Sequence, residues 1–464
     1  MLARGTTRPL RGLTSTRKCI NACRTYASST SEHESAPQPS AEQSAAKSRP
    51  IKQELFGPSW RTKQPRKQKQ PYNKPDEEGD AEKGRVIFSG IQPTGIPHLG
   101  NYLGALREWV RIQNTASEQD KLLFSVVDMH AITVKQDSAD LRRYRREMMA
   151  SLLAVGLDPL KSLVFTQGKV HQHAELMWIL SCTASMGYLS RMTQWKSKMG
   201  LGTDASPFES TADPKSREAL KLGLFSYPVL QAADILLYGT THVPVGEDQA
   251  QHLEFTRQLA LGFNAAYGRT ILTPPETILA PAKRVMSLTD PTKKMSKSDE
   301  NPNSRILITD SKSDIEMKIM KKALTDSIEG VTYDRQARPG VSNLIDIMYY
   351  MDESVAASPE ELAKDMANVS MRALKEKVAE TVNRTLEPIR TRYNLIMKDE
   401  QRRPFLQDHN EVAASAAKSI AKKRLRNINS VIGMGTLQSE PNRKVKPKGG
   451  YITMKKLTLE PSGV

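Results

Sequence analysis

From Val86 onward, short apolar runs of strand character alternate with segments of helical period, and this alternation narrows the possible folds most. Val86-Ile87-Phe88 reads as a strand that turns at Ser89-Gly90-Ile91-Gln92-Pro93-Thr94-Gly95 into a helix carrying Leu103-Gly104-Ala105-Leu106. A second strand, Leu122 to Val127, ends at Asp128-Met129-His130. Leu141, Tyr144, Met148, Leu152 and Leu153 then recur at helical spacing until Gly156 and Pro159, and another strand follows at Leu163-Val164-Phe165. The pattern predicts an α/β fold with a doubly wound, Rossmann-like parallel sheet, whose ligands sit beyond the carboxyl ends of the strands. After about Asp310 the strand patterns give way to helical ones at 314–324, 341–351 and along 359–432. The expected organisation is a catalytic domain over 84–309 and a mainly helical domain over 310–436, followed by a basic tail at 437–464.

Composition bounds what such a chain does. The 464 residues exceed one ordinary domain, and 38% hydrophobic with 26% charged residues is a globular balance. No run approaches the ~18 consecutive apolar residues of a bilayer-spanning helix, so no membrane insertion is expected. The net charge is +17, to which Arg4, Arg8, Arg11, Arg17, Lys18 and Arg24 contribute six; the remaining +11 still favours a polyanionic partner such as nucleic acid. The first 26 residues hold those six cations with Ser and Thr, no acid and no continuous apolar core, the composition of an organelle transit peptide with cleavage near Tyr26. Residues 27–83 are rich in Ser, Gln, Pro and Lys without a sustained apolar period, which predicts a disordered linker. With Cys19 and Cys23 inside the transit segment, a mature chain keeps only Cys182, too few for a disulfide framework or a cysteine zinc cluster.

Two motifs carry chemistry. Gln92-Pro93-Thr94-Gly95-Ile96-Pro97-His98-Leu99-Gly100-Asn101 stands between a strand and a helix, where glycines permit close backbone approach and a helix start offers N–H groups to phosphate. Lys293-Lys294-Met295-Ser296-Lys297-Ser298 follows Pro291 and should be a loop. Lysines alternating with small hydroxyl residues suit a cap over a triphosphate, because ammonium groups offset the charge that grows on leaving pyrophosphate. Taken singly, the first also fits a structural turn and the second a generic basic loop. His171 and His173 suggest a metal pair only superficially, since no third ligand accompanies them; a structural or surface role is expected, with no resident metal.

The two motifs in this order resemble the paired signatures of the class I aminoacyl-tRNA synthetases, the second without a change at residues 294–298. Phe88-Ser-Gly-Ile-Gln-Pro-Thr-Gly, Val127-Asp-Met-His-Ala-Ile-Thr, Arg191-Met-Thr-Gln-Trp-Lys, Ala232-Ala-Asp-Ile-Leu-Leu-Tyr, Val243-Pro-Val-Gly-Glu-Asp-Gln and Met286-Ser-Leu are similar to blocks of that family's bacterial and organellar tryptophanyl branch. The resemblance runs from about Arg85 to Met434. It implies activation of L-tryptophan with ATP and magnesium, transfer to tRNA(Trp), a homodimer, anticodon contacts from the helical domain, and residence in the mitochondrial matrix.

It also implies site residues. Tyr227, Gln231 and Asp234 stand at i, i+4 and i+7, on one face of an otherwise apolar helix. An indole offers one N–H donor, so a carboxylate at the floor of an apolar slot is its complement, and the residue matching Asp234 receives that donor. Phe88, Gly90, His130, Val243 and Val245 match positions of the tryptophan pocket, and Tyr227 and Gln249 match positions that orient the amino acid part. Gln231 departs from the Met of many bacterial relatives. For ATP the matching residues are Gln92, Pro93, Thr94, Gly100, Asn101, Gly246, Glu247, Asp248 and Val285, with Lys294, Met295, Ser296, Lys297 and Ser298 of the loop. His98, Lys196, Lys294 and Lys297 are the candidates for acting on the phosphates, although Lys196 also fits a surface lysine. A tyrosyl enzyme of the same fold, and an organellar RNA-binding factor built on a retired synthetase, are the rival readings.

Overall fold

The computed structural model describes residues 84–199, 220–246, 249–279, 284–398 and 403–436, all within one compact unit spanning 75–464. The expected transit segment 1–26, the expected linker 27–83, Glu247, Asp248 and the expected tail 437–464 lie outside the described residues.

Five strands form one parallel sheet in the order β3-β2-β1-β4-β5: β1 Val86–Ile91, β2 Lys121–Val126, β3 Ser162–Thr166, β4 His242–Val245 and β5 Glu276–Leu279. Strand side chains alternate between faces, so neighbours in sequence enter different cores. Ile87, Leu122, Phe124, Val126 and Val164 enter one apolar cluster, and Phe88, Leu123 and Phe165 enter the other. Both faces are therefore covered, as a buried parallel sheet requires. The chain builds β1, β2 and β3 outward in one direction and then returns to place β4 on the other flank of β1, which puts the topological switch between β1 and β4.

On the first face lie α1 (Leu99–Asn101), α2 (Arg107–Thr115) and α4 (Ser138–Val155). The turn Tyr102–Leu106 that joins α1 to α2 is π-helical. α3 (Asp128–Ala131) follows β2 directly. Asp137 caps α4 by accepting the N–H groups of Ala139 and Asp140, and the helix ends at Gly156 as the spacing predicts. On the second face lie α5 (Gln172–Ser181), α6 (Met186–Arg191), α7 (Thr193–Lys198), α8 (Leu222–Leu236) and α9 (Ala250–Tyr267).

Beyond β5 the structure is helical: α10 (Lys312–Met317), α11 (Pro339–Met351), α12 (Pro359–Asp365), α13 (Met371–Lys398) and α14 (Arg403–Val431). The helix expected over 314–324 is instead the short α10 followed by a π-helical turn at Lys318–Lys322, and the long pattern over 359–432 is three helices. α13 packs on α4 and α11, so Leu344, Val378 and Val382 share a core with Ile87 and Phe124 of the sheet. α14 turns back to the sheet and lies along edge strand β3. There the Asn410 side chain accepts the Thr166 N–H at 2.9 Å, satisfying an edge group that a parallel sheet leaves open. Among the described residues no helix is long and apolar enough to cross a membrane.

Candidate active site

A cavity of about 280 Å³ opens at the carboxyl ends of β1 and β4, at the switch point. Its walls include Phe88, Gly90, Gln92, Val243, Val245 and Gly246 from the strand ends, with His130 from α3 and Gln231 and Asp234 from α8; Gln249 closes one side. The fold thus brings eight of the nine residues that the resemblance implies for tryptophan to one cavity. Tyr227 is the exception. Its hydroxyl meets Gln194 Oε1 at 3.1 Å and His252 Nε2 at 3.2 Å, while His252 Nδ1 meets Gln249 Oε1 at 3.2 Å. Tyr227 therefore stands behind Gln249, which also accepts the Gln231 amide at 3.2 Å. The i, i+4, i+7 face holds for the helix, but the cavity begins one turn after Tyr227.

Asp234, 2% exposed, forms the floor. Its Oδ2 lies 2.8 Å from His130 Nε2, and its Oδ1 accepts the Gln167 amide at 2.7 Å and lies 2.7 Å from His173 Nδ1. Burial pushes this carboxyl up, but His173 and His130 outweigh it and hold the group below the ordinary carboxylate range. An ionised, fully enclosed acceptor is the result. His173 thus has a structural place against Asp234, while His171 is exposed.

The two signature motifs meet beside this cavity. Leu99 N–H donates to Ile306 O at 2.8 Å and Ile308 N–H to Pro97 O at 3.0 Å, pinning the first motif to the segment that follows the second. His98 caps α1: its Nδ1 accepts the Asn101 N–H at 3.3 Å, and the Asn101 side chain accepts the His98 N–H at 3.2 Å. A side chain at Gly100 would come within 3.0 Å of the His98 ring, so the close approach explains that glycine. Burial, then Lys297, Lys294 and Arg305, lower the His98 pKa to about 3. The ring is neutral near pH 7, and with Nδ1 accepting, its proton sits on Nε2.

Lys297 Nζ donates to Gly95 O at 2.9 Å and approaches Thr94 Oγ1 at 3.4 Å. Gly95 has φ +100°, a conformation that turns its carbonyl toward the lysine without the strain any side chain would add. Pro93 is buried, and the Thr94 N–H donates to Gln92 O at 3.0 Å. Burial lowers the Lys297 pKa to about 8, with Glu147 opposing. Lys294 is exposed, and Met295, buried, donates its N–H to Val285 O at 3.0 Å. Met286 bridges to Lys294, and the Asn343 side chain of α11 clasps Met286, accepting its N–H at 2.9 Å and donating to its O at 3.1 Å. Ser296 and Ser298 hydroxyls pair at 2.9 Å. Lys196 is no surface lysine: it is 5% exposed, with Nζ 5.7 Å from the Trp195 ring centre.

Sequence reasoning missed Gln167, Tyr238 and Asn343, and assigned His173 no part in the site. The available signal was chemical: a carboxylate buried in an apolar helix needs donors, and Gln167 and His173 are polar residues on the segment after β3.

Residues 81–387 match the family described as tRNA synthetases class I (W and Y). The chain is 46% identical over 352 residues to the mitochondrial tryptophan–tRNA ligase of Schizosaccharomyces pombe, covering 75% of this chain and 95% of that protein. It is 45% identical over 353 residues to the mitochondrial tryptophan–tRNA ligase of Saccharomyces cerevisiae, covering 75% and 90%. Its fold is similar to the crystal structure of tryptophanyl-tRNA synthetase from Campylobacter jejuni complexed with ADP and tryptophan, with a TM-score of 0.59 and 32% identity over 75% of this chain and 99% of that one. With both signatures joined beside an acid-floored cavity at the switch of a parallel sheet, the chain belongs to the class I aminoacyl-tRNA synthetases of the tryptophan and tyrosine family.

Proposed function

We propose that the protein is a tryptophan–tRNA ligase of mitochondria that works in the matrix. The observation that carries the substrate is the ionised Asp234 carboxylate on the floor of the β1–β4 cavity, an acceptor suited to a single ring N–H. The mitochondrial relatives and the acid-free residues 1–26 support the location. A reporter fused to residues 1–26 that stays outside mitochondria would contradict it.

In the first half-reaction the tryptophan carboxylate oxygen bonds to the α-phosphorus of ATP, and the bond from that phosphorus to the pyrophosphate oxygen breaks. In the second, a hydroxyl of the terminal tRNA ribose bonds to the acyl carbon and AMP leaves. No protein nucleophile is needed; alignment and charge stabilisation supply the rate. Phe88, Val243 and Val245 enclose the ring, while Gln249, backed by His252 and Tyr227, faces the amino acid part. His98 donates from Nε2 to a phosphate oxygen. Lys196, Lys294 and Lys297 offset phosphate charge, and Lys297 exchanges the Gly95 carbonyl for phosphate. Gln92, Thr94, Gly100 and Asn101 line the approach of ATP, Gly246, Glu247 and Asp248 take the ribose, and Val285 borders the adenine. Magnesium enters with ATP, held by phosphate oxygens and water. tRNA(Trp) presents its anticodon to the helical region 310–436, and two copies of the chain form the working enzyme.

The test is exchange of pyrophosphate into ATP by the purified chain. Tryptophan supports exchange and tyrosine and phenylalanine do not; Asp234→Ala loses at least roughly 100-fold in kcat/KM for tryptophan, the scale of an unpaired buried polar group. Exchange with tyrosine overturns the specificity. A folded protein without exchange moves the RNA-binding reading to the front.

A further inference from the structure

The Asp234 carboxylate is set by residues that do not line the cavity. His173 and Gln167 are fully buried, Tyr238 nearly so, and none of the three lines the cavity. Tyr238 Oη lies 2.8 Å from His173 Nε2. His173 Nδ1 lies 2.7 Å from Asp234 Oδ1, and the same oxygen accepts the Gln167 amide at 2.7 Å. Gln167 is itself oriented, because its Oε1 accepts the Met129 N–H at 3.0 Å and so its amide nitrogen must face the carboxylate.

The protons in this chain follow from satisfiability. An ionised carboxylate only accepts, so His173 Nδ1 must carry hydrogen. The buried Tyr238 O–H has no other hydrogen-bond partner among the described residues, so it must donate to Nε2 or remain unpaired, and donating there leaves Nε2 a lone pair and the ring its one hydrogen at Nδ1. The order is Tyr238 O–H to His173 Nε2, and His173 Nδ1–H to Asp234 Oδ1. Two donors fill the two lone pairs of Oδ1. Among the described residues Oδ2 has only His130 and retains one.

We propose that Tyr238, His173 and Gln167 are positioning residues for tryptophan selection: Tyr238 fixes His173 as the Nδ1–H tautomer, and His173 with Gln167 saturates Oδ1, leaving the open lone pair of Oδ2 as the acceptor for the indole N–H. The proposal rests on the tryptophan reading of the site. Tyr238 has a second contact that separates its roles: its ring stacks on Phe88, centroids 5.6 Å apart at 16°, so the ring packs the pocket wall while the hydroxyl orients the floor. Replacing Tyr238 by Phe removes only the second role.

The test compares, in pyrophosphate exchange by the full chain, tryptophan with β-(benzothiophen-3-yl)alanine, in which sulfur replaces the ring N–H at nearly the same shape. Wild type prefers tryptophan strongly. In Tyr238→Phe the ratio of kcat/KM for the two substrates falls roughly ten-fold, the scale of a misdirected buried hydrogen bond, through KM for tryptophan, with kcat and KM for ATP little changed. In His173→Asn, whose side-chain amide donates as Nδ1–H does and has no tautomer, most of the preference returns, and adding Tyr238→Phe lowers it no further. Equal losses for both substrates, or an unchanged ratio, would reduce these residues to packing and overturn the proposal. Wild type that does not exchange with tryptophan overturns the ligase reading itself, and this proposal with it.

Discussion

Lys297 carries its charge into a place that burial makes costly; among the described residues the Gly95 carbonyl and Thr94 bond to it, and Glu147 offsets part of the cost. Its pKa, lowered to about 8, gives a pH dependence with a definite sign. The ammonium form dominates below that value and is lost as pH rises through it. We predict that kcat/KM for ATP, which reports the free enzyme, falls above about pH 8, whereas kcat at saturating ATP holds to higher pH because bound phosphate favours the charged lysine. A kcat/KM profile flat to pH 10 would contradict this. The loop around Lys297 was legible in sequence, since residues 293–298 follow Pro291 and alternate lysines with small hydroxyl residues. Its partner was not: Gly95 lies 202 positions earlier, and nothing local to either residue encodes the meeting.

At the level of elements, the signature loop is held by a clasp from another part of the chain. Met286 pairs with Lys294, and Asn343 on α11 takes both the N–H and the O of Met286. The loop therefore reads its position from the helical region. Asn343→Ala should lower kcat for pyrophosphate exchange on the order of ten-fold, about the value of one or two such bonds, while leaving KM for tryptophan near wild type. An equal rise in the tryptophan KM would show that the clasp acts on the whole site. Helix α14 gives the same lesson about legibility. The helical period along 359–432 predicts a helix here, and Ala413, Ala417, Ala421, Leu425 and Ile428 form its buried face in the structure. That the face lies on β3 rather than on the preceding helices depends on small residues letting it approach the edge strand, and on Asn410 pairing with Thr166.

For the whole molecule, the exposed apolar side chains matter as much as the core. Trp178 on α5 is 73% exposed, Leu222 at the start of α8 is 75% exposed, and Met186 at the start of α6 is 53% exposed, on helices that pack together. Large apolar groups left so open are the kind of surface a second copy covers. The homodimer we propose is expected to dissociate when Trp178→Asp places a charge there, with the mass in sedimentation equilibrium falling from two chains to one. A monomeric wild type at micromolar concentration would rule the homodimer out.

By itself the sequence determined the alternation of strands and helices, the doubly wound class, the two signature motifs and the acid on an apolar helix, because each is written in local periodicity or in a contiguous run of residues. Tertiary structure alone decided that Tyr227 stands behind the cavity, that Lys196 is buried, that α14 closes the edge of the sheet, and that Gln167 and His173 bond to Asp234 and Tyr238 to His173. The physical reason is common to all four. A buried polar group must find partners, and which partners are within reach is settled by packing between segments far apart in the chain.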